Sequence, residues 1–109
     1  MPQKRISASL CINQEKENME QLAQLFKALA DSSRIQILFL ILDREACVSE
    51  IANTLKMSES AVSHHMRILR MKALVRRQRN GKNVSYGLMD EHIRAILIKG
   101  CEHVYEKKE

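Results

Sequence analysis

Only Lys56-Met57 separates two segments of helical periodicity, and this short link constrains the fold more than any other feature of the chain. Before it, Cys47–Leu55 sets Val48, Ile51, Ala52 and Leu55 on one face. After it comes Met57–Met71, MSESAVSHHMRILRM. Ser58 has the short hydroxyl that accepts from free N–H groups of a first helical turn, and Glu59 suits the positive end of the helix dipole. Ala61, Val62, Met66 and Leu69 then recur near the 3.6-residue period. Two helices joined by a tight polar turn make a helix-turn-helix.

The other face of the second helix carries Ser58, Ser60, Ser63 and His64, followed by Arg67 and Arg70. Small polar residues at the front of a helix permit close approach to a surface, and arginines further along suit phosphates or guanine edges. An ordinary solvated face is the competing reading. Charge distribution favours the groove-binding one. The chain has a net charge of +5, and from Ser60 to Met89 it has no Asp or Glu, while Arg67, Arg70, Lys72, Arg76, Arg77, Arg79 and Lys82 all fall there. Clustered positive charge is the electrostatic footprint of a polyanion partner, here double-stranded DNA.

The length of 109 residues suits one domain with a modest core. With one Pro, three Gly and few aromatics, the expected class is mainly α, its core built from Leu, Ile, Val, Met and Ala. Residues 1–14 have no clear period and carry Lys4 and Arg5, so they read as a flexible arm preceding a domain over 15–109. Glu15–Ala30 is a helix with a stripe of Met19, Leu22, Ala23, Phe26, Leu29 and Ala30. Asp31-Ser32-Ser33 ends it and caps a second helix, Arg34–Leu42, whose nearly all-round apolarity marks the centre of the core. Leu74–Gln78 and Val84–Leu88 are β-like, and the Asn80-Gly81 pair between them suits a tight hairpin turn that needs positive φ. This is a small wing whose basic members Arg77, Arg79 and Lys82 lie where flanking DNA would run. Asp90 caps a last helix, Glu91–Glu106, with Ile93, Leu97, Cys101 and Val104 in one stripe.

The beginning of the chain has no apolar leader and no apolar run approaches spanning length, so a cytoplasmic protein without a membrane partner is expected. In a reducing compartment Cys11, Cys47 and Cys101 are thiols rather than a disulfide framework.

The order helix, helix, helix-turn-helix, wing, helix resembles the ArsR–SmtB family of bacterial metal-sensing repressors over nearly the whole length. LFKALADSSRIQILFLI, ACVSEIANTLKMSESAVSHHMRILRMKALV and RRQRNGKNVSYGLMD carry the resemblance, and SESAVSHHMRILR with DEHI…EHVYE is similar to the zinc-sensing branch. The resemblance implies a winged helix-turn-helix homodimer that binds operator DNA when metal-free and lets go when Zn(II) binds. It also matches Asp90, His92, His103 and Glu106 to the four ligand positions of that branch.

Helical geometry adds a constraint. At 100° per residue His103 returns to within roughly 20° of His92, and Glu106 falls roughly 40° to the other side. All three share a face, and Asp90 at the cap can turn toward it. Along the axis His92 and His103 are roughly 16 Å apart, whereas zinc–ligand bonds are about 2 Å. One helix cannot close both pairs on one ion. Two antiparallel helices across a two-fold axis can, which makes two identical sites per dimer. A solvated charged face is the competing reading, and Lys99 on that face is a discordant cation unless its stem carries it away.

A second candidate site involves Cys47, with Glu50 and Cys11, for a thiophilic metal or as a redox switch. Relatives that sense arsenic or cadmium have Cys-Val-Cys at this place, whereas this chain has Cys47-Val48-Ser49. Packing as a small hydrophobe is the competing reading for Cys47 and Cys101. An enzyme would need more than His64-His65 or His92 with a glutamate, since no phosphate loop or HExxH accompanies them. A DNA-binding module, not a catalyst, is expected.

Overall fold

The computed structural model describes residues 16–107. The expected arm at 1–14 lies outside the described residues, as does Cys11. The elements are α1 (Lys16–Leu29), α2 (Ser32–Leu40), α3 (Val48–Leu55), α4 (Glu59–Met71), β1 (Val75–Asn80), β2 (Asn83–Leu88) and α5 (Glu91–Lys107). This is the mainly α winged helix-turn-helix expected from the pattern, with the strands in one antiparallel hairpin.

Local chemistry sets each boundary. Asp31 caps α2, its Oδ1 accepting from the Ser33 N–H at 2.8 Å and the Arg34 N–H at 3.3 Å. Ser32 and Ser33 therefore lie inside the helix, which begins earlier than its apolar run does. Arg34 Nε donates to the Ala28 carbonyl at 2.7 Å and closes the α1–α2 corner. Ser58 caps α4 by accepting from the Ala61 N–H at 3.1 Å, and Asp90 caps α5 by accepting from the Ile93 N–H at 3.1 Å.

The core joins all five helices to the base of the wing. Ile37, Leu38 and Ile41 from the second helical region meet Ile51 and Ala52 of α3, Val62, Met66 and Leu69 of α4, Leu74 and Val75, and Ile93 and Leu97 of α5. The apolar second helix is central, but not on every side, because Ile35 keeps 38% of its surface. Two expected stripes are only partly covered by their own chain. On α1, Leu29 is buried while Leu22 and Phe26 are 44% and 51% exposed. On α5, Ile93 and Leu97 are buried, but Val104 is 58% exposed and Cys101 is exposed too. Packing of Cys101 within its own chain is thus not observed. Only the first half of α5 reaches the core.

The hairpin is longer and tighter than its sequence pattern suggests. Val75 pairs with Leu88 and the register continues to Asn80–Asn83, leaving Gly81-Lys82 as the loop. Gly81 takes φ +63° and Asn80 does not take positive φ. A single positive φ at the first loop position fits a type II′ turn, in which glycine is preferred there.

Two non-glycine residues with positive φ flank α4: Lys56 and Ala73, both at 58°. Ala73 follows the helix, its N–H bonding to the Arg70 carbonyl at 3.0 Å while the Leu74 N–H bonds to the Leu69 carbonyl at 2.9 Å. That pair of bonds is the Schellman motif, normally closed by glycine.

Candidate nucleic-acid interface and metal centre

Burial of Val62, Met66 and Leu69 fixes the roll of α4 and turns its other side outward. Ser60, His64, Arg67 and Arg70 are exposed there, with Ser63 half-buried between them. Ser58 lies at the front of this face, but its oxygen is engaged by the Ala61 N–H and lies 3.3 Å from the Ser60 hydroxyl. It serves first as a cap. His65, unlike His64, turns inward, and its buried Nδ1 has no hydrogen-bond partner.

The wing sorts its arginines by the two-residue period of a strand. Arg77 and Arg79 share one face, opposite Tyr86 and Val84. Arg76 lies on the other, where its guanidinium is bound by Glu45 and bonds to Gln78 at 3.3 Å. Ser85 donates to the second Glu45 oxygen at 2.8 Å. Gly87 leaves room for this bracket, since a Cβ there would meet Glu45 Cγ at 3.1 Å and Arg76 Nη2 at 3.2 Å. The Ser85 hydroxyl and then Arg76 hold the Glu45 carboxyl below its ordinary range. Ala46 and Tyr86 exchange backbone bonds of 3.0 and 2.8 Å, which adds a one-residue bridge beside the hairpin. Alternation along β1 was a signal for separating Arg76 from Arg77 and Arg79. Its acceptor, 31 residues earlier, had none. Lys82 is exposed at the turn.

The four candidate metal ligands sit at the two ends of α5. Asp90 uses Oδ1 for the cap, leaving Oδ2 3.6 Å from His92 Nδ1. His103 and Glu106 are exposed in the last turns. Among the described residues no three His, Cys, Asp or Glu side chains converge, so a single chain does not assemble the four candidate ligands. The donor set suits zinc, with two imidazoles and two carboxylates, all exposed, and one carboxylate oxygen already beside a ring nitrogen. Lys99 is less discordant than its position suggests, because Glu102 holds its ammonium at 3.3 Å.

Cys47 is the N-cap residue of α3, half-buried, with its sulfur 3.2 Å from the Ser49 hydroxyl. The Ser49 hydroxyl and then the Glu50 N–H hold the thiol below its ordinary range, against partial burial and the Glu50 charge. Glu50 itself pairs with Arg44 at 2.9 Å. Its carboxylate is therefore already partnered by a cation.

Residues 31–77 match the model of the family described as "Bacterial regulatory protein, arsR family". Over 90 residues the chain is 41% identical to a transcriptional repressor SmtB homolog of Synechocystis sp., covering 83% of this chain and 68% of that protein. Over 92 residues it is 36% identical to a cadmium resistance transcriptional regulatory protein CadC homolog of Staphylococcus aureus, covering 84% and 76%. Its fold is similar to the solution structure of a homodimeric winged helix-turn-helix DNA-binding domain from Mycobacterium bovis, a possible ArsR-family transcriptional regulator. That match has a TM-score of 0.83 and 27% identity, over 89% of this chain and 90% of that one.

Proposed function

The chain belongs to the arsR family of bacterial regulatory proteins, and on that premise we propose that it is a transcriptional repressor, a homodimer that holds operator DNA when metal-free and releases it on binding Zn(II). One observation carries this reading. The candidate pairs Asp90–His92 and His103–Glu106 stand at opposite ends of α5, and the chain's own core leaves Val104 and Tyr105, beside the second pair, uncovered.

The exposed face of α4 is the reading surface. Ser60, Ser63 and His64 lie toward the end of the helix that enters a major groove first, and Arg67 and Arg70 reach guanine edges or phosphates. Arg77, Arg79 and Lys82 of the wing hold the flanking backbone. A second copy of the chain supplies cover for Leu22 and Phe26 of α1 and for the outer half of α5, since exposed apolar surface of this kind marks a docking face. The similar M. bovis domain is itself homodimeric. In such a dimer the two α4 helices would lie about one DNA turn apart, roughly 34 Å.

Asp90 and His92 of one protomer, with the partner's His103 and Glu106, would hold the ion. Zinc, when bound, supplies a four-coordinate link between the two α5 helices. DNA and metal then antagonise each other by the same factor, as linkage requires. The direct test begins with a duplex selected from random sequence by the metal-free protein. Its affinity is measured with and without zinc, cobalt, nickel and cadmium, and bound metal is counted per dimer. Two zinc ions per dimer with weakened DNA binding is the expected result. Affinity indifferent to all four metals would overturn the reading.

A second reading rests on the Ser49-bonded, acidified Cys47 thiol. It is a same-fold regulator that senses a thiophilic metal or oxidant at that residue. Cadmium- or peroxide-driven release without a zinc response would favour it.

A further inference from the structure

The zinc reading leaves open how the start of α5 communicates with the DNA-reading half of the domain. Arg94, one turn into α5, is the side chain that reaches across. Its Nη1 donates to the Leu42 carbonyl at 3.0 Å and to Asp43 Oδ1 at 2.7 Å, more than 50 residues away in sequence. Its own backbone N–H bonds to the Asp90 carbonyl at 3.3 Å. Arg94 therefore rests on the residue whose carboxylate faces His92.

The segment it grips, Leu42–Ala46, is itself tied to the wing. Glu45 accepts from Arg76 and Ser85, and Ala46 bonds in both directions with Tyr86. The next residue, Cys47, caps α3 and accepts from the Ile51 N–H at 3.0 Å. An open cleft of about 500 Å³ lies between these parts, bordered by Leu42, Asp43, Arg76, Asp90 and Arg94. Across it the Arg94 guanidinium is a directional strut. Ile93 and Leu97 pack α5 against the core, and the Arg94 guanidinium adds a second, polar point of attachment outside that packing. Its two hydrogen bonds from one planar, charged group are directional and tie α5 to Leu42 and Asp43 in particular.

We propose that Arg94 is a positioning residue that transmits the setting of α5, through Leu42 and Asp43, to the wing and α3, so that it determines how strongly metal and DNA oppose each other. This rests on the zinc reading of α5 and adds the part of the chain that carries the signal.

The test compares the wild-type dimer with Arg94→Met, which keeps the apolar stem, Asp43→Asn, which perturbs only an exposed partner, and Arg94→Lys. For each, DNA affinity is measured without metal and with saturating zinc, zinc affinity is measured without DNA, and amide exchange at Leu42–Ala46 is followed in the metal-free protein. The expected result for Arg94→Met is metal-free DNA affinity and zinc affinity within about threefold of wild type, faster exchange at Leu42–Ala46, and a metal–DNA opposition smaller by about tenfold. Asp43→Asn shows a smaller loss in the same direction, and Arg94→Lys restores part of it. Opposition unchanged in Arg94→Met and Asp43→Asn overturns the strut. So does a loss of metal-free DNA binding equal to the loss of opposition, which marks a merely structural residue. A wild-type dimer that binds zinc without losing DNA affinity fails at the earlier step and overturns the zinc reading itself.

Discussion

Glu45 lays its carboxylate against the guanidinium of Arg76, 31 residues further along the chain, and so engages the one arginine of β1 that faces away from Arg77 and Arg79. This bracket predicts a pH response. The Glu45 carboxyl titrates below its ordinary value, so its contribution to stability is complete above the unfolded glutamate value of about 4.3. It fades as pH falls through the lowered folded value. Thermal melts from pH 7 down to pH 3 are expected to show a slope in this acid range that is reduced in Glu45→Gln. Parallel curves for the two proteins would remove the bracket from the stability account.

Arg67 and Arg76 are expected to part company in DNA binding. Arg67 is exposed on α4, whereas Arg76 is engaged by Glu45 and Gln78. Arg67→Ala should weaken binding at fixed salt by about 1–3 kcal/mol if it reads a base, or flatten the salt dependence by about one unit if it holds a phosphate. Thermal stability should stay within about 0.5 kcal/mol. Arg76→Ala should leave the salt slope nearly intact and speed amide exchange at Ala46 and Tyr86. The reverse ranking would move the reading surface to the other face of the wing.

His92→Ala and His103→Ala remove exposed side chains, so folding and metal-free DNA affinity should be preserved. Each substitution is expected to abolish zinc-dependent release, because each opens both sites of a symmetric dimer. Zinc titrations against a labelled duplex decide the point. Full release in both variants would eliminate the α5 site.

Cys47→Ser keeps the N-cap position and the hydroxyl neighbour Ser49. The zinc response should be unchanged, as measured by the same titration. Loss of response would transfer sensing to the start of α3.

Ala73→Gly addresses the backbone. Ala73 sits at φ 58° in the Schellman closure of α4. A left-handed L-residue costs about 1–2 kcal/mol, and part of the relief is offset by the greater freedom of glycine in the unfolded chain. A net gain of about 0.5–1 kcal/mol is expected, read as a rise of several degrees in melting temperature. A fall would show that the alanine methyl contributes more than its backbone strain removes.

Local signals were legible and distant ones were not. Asp31, Ser58 and Asp90 announce their helices because a cap is a contact across two or three residues. Val62, Met66 and Leu69 fix the outward face of α4 for the same local reason. Lys56 and Ala73 have no such marker, since neither is the glycine that usually signals a left-handed residue. The attachments of Arg76 to Glu45 and of Arg94 to Asp43 span 31 and 51 residues, and nothing in composition or period selects those acceptors. The strands extend past their apolar cores because backbone pairing continues through Arg79 and Asn80. The stripes of α1 and α5 read as core, yet Phe26 and Val104 stay exposed, because periodicity does not say which chain provides the cover.

Tyr105 is 68% exposed near the end of α5, and in the proposed dimer its cover would come from the second copy, so that the melting point would depend on protein concentration. If a second copy covers such residues, dilution uncovers them, and dissociation draws on the free energy that keeps the fold intact. For such a repressor gene dosage would set durability as well as occupancy of DNA.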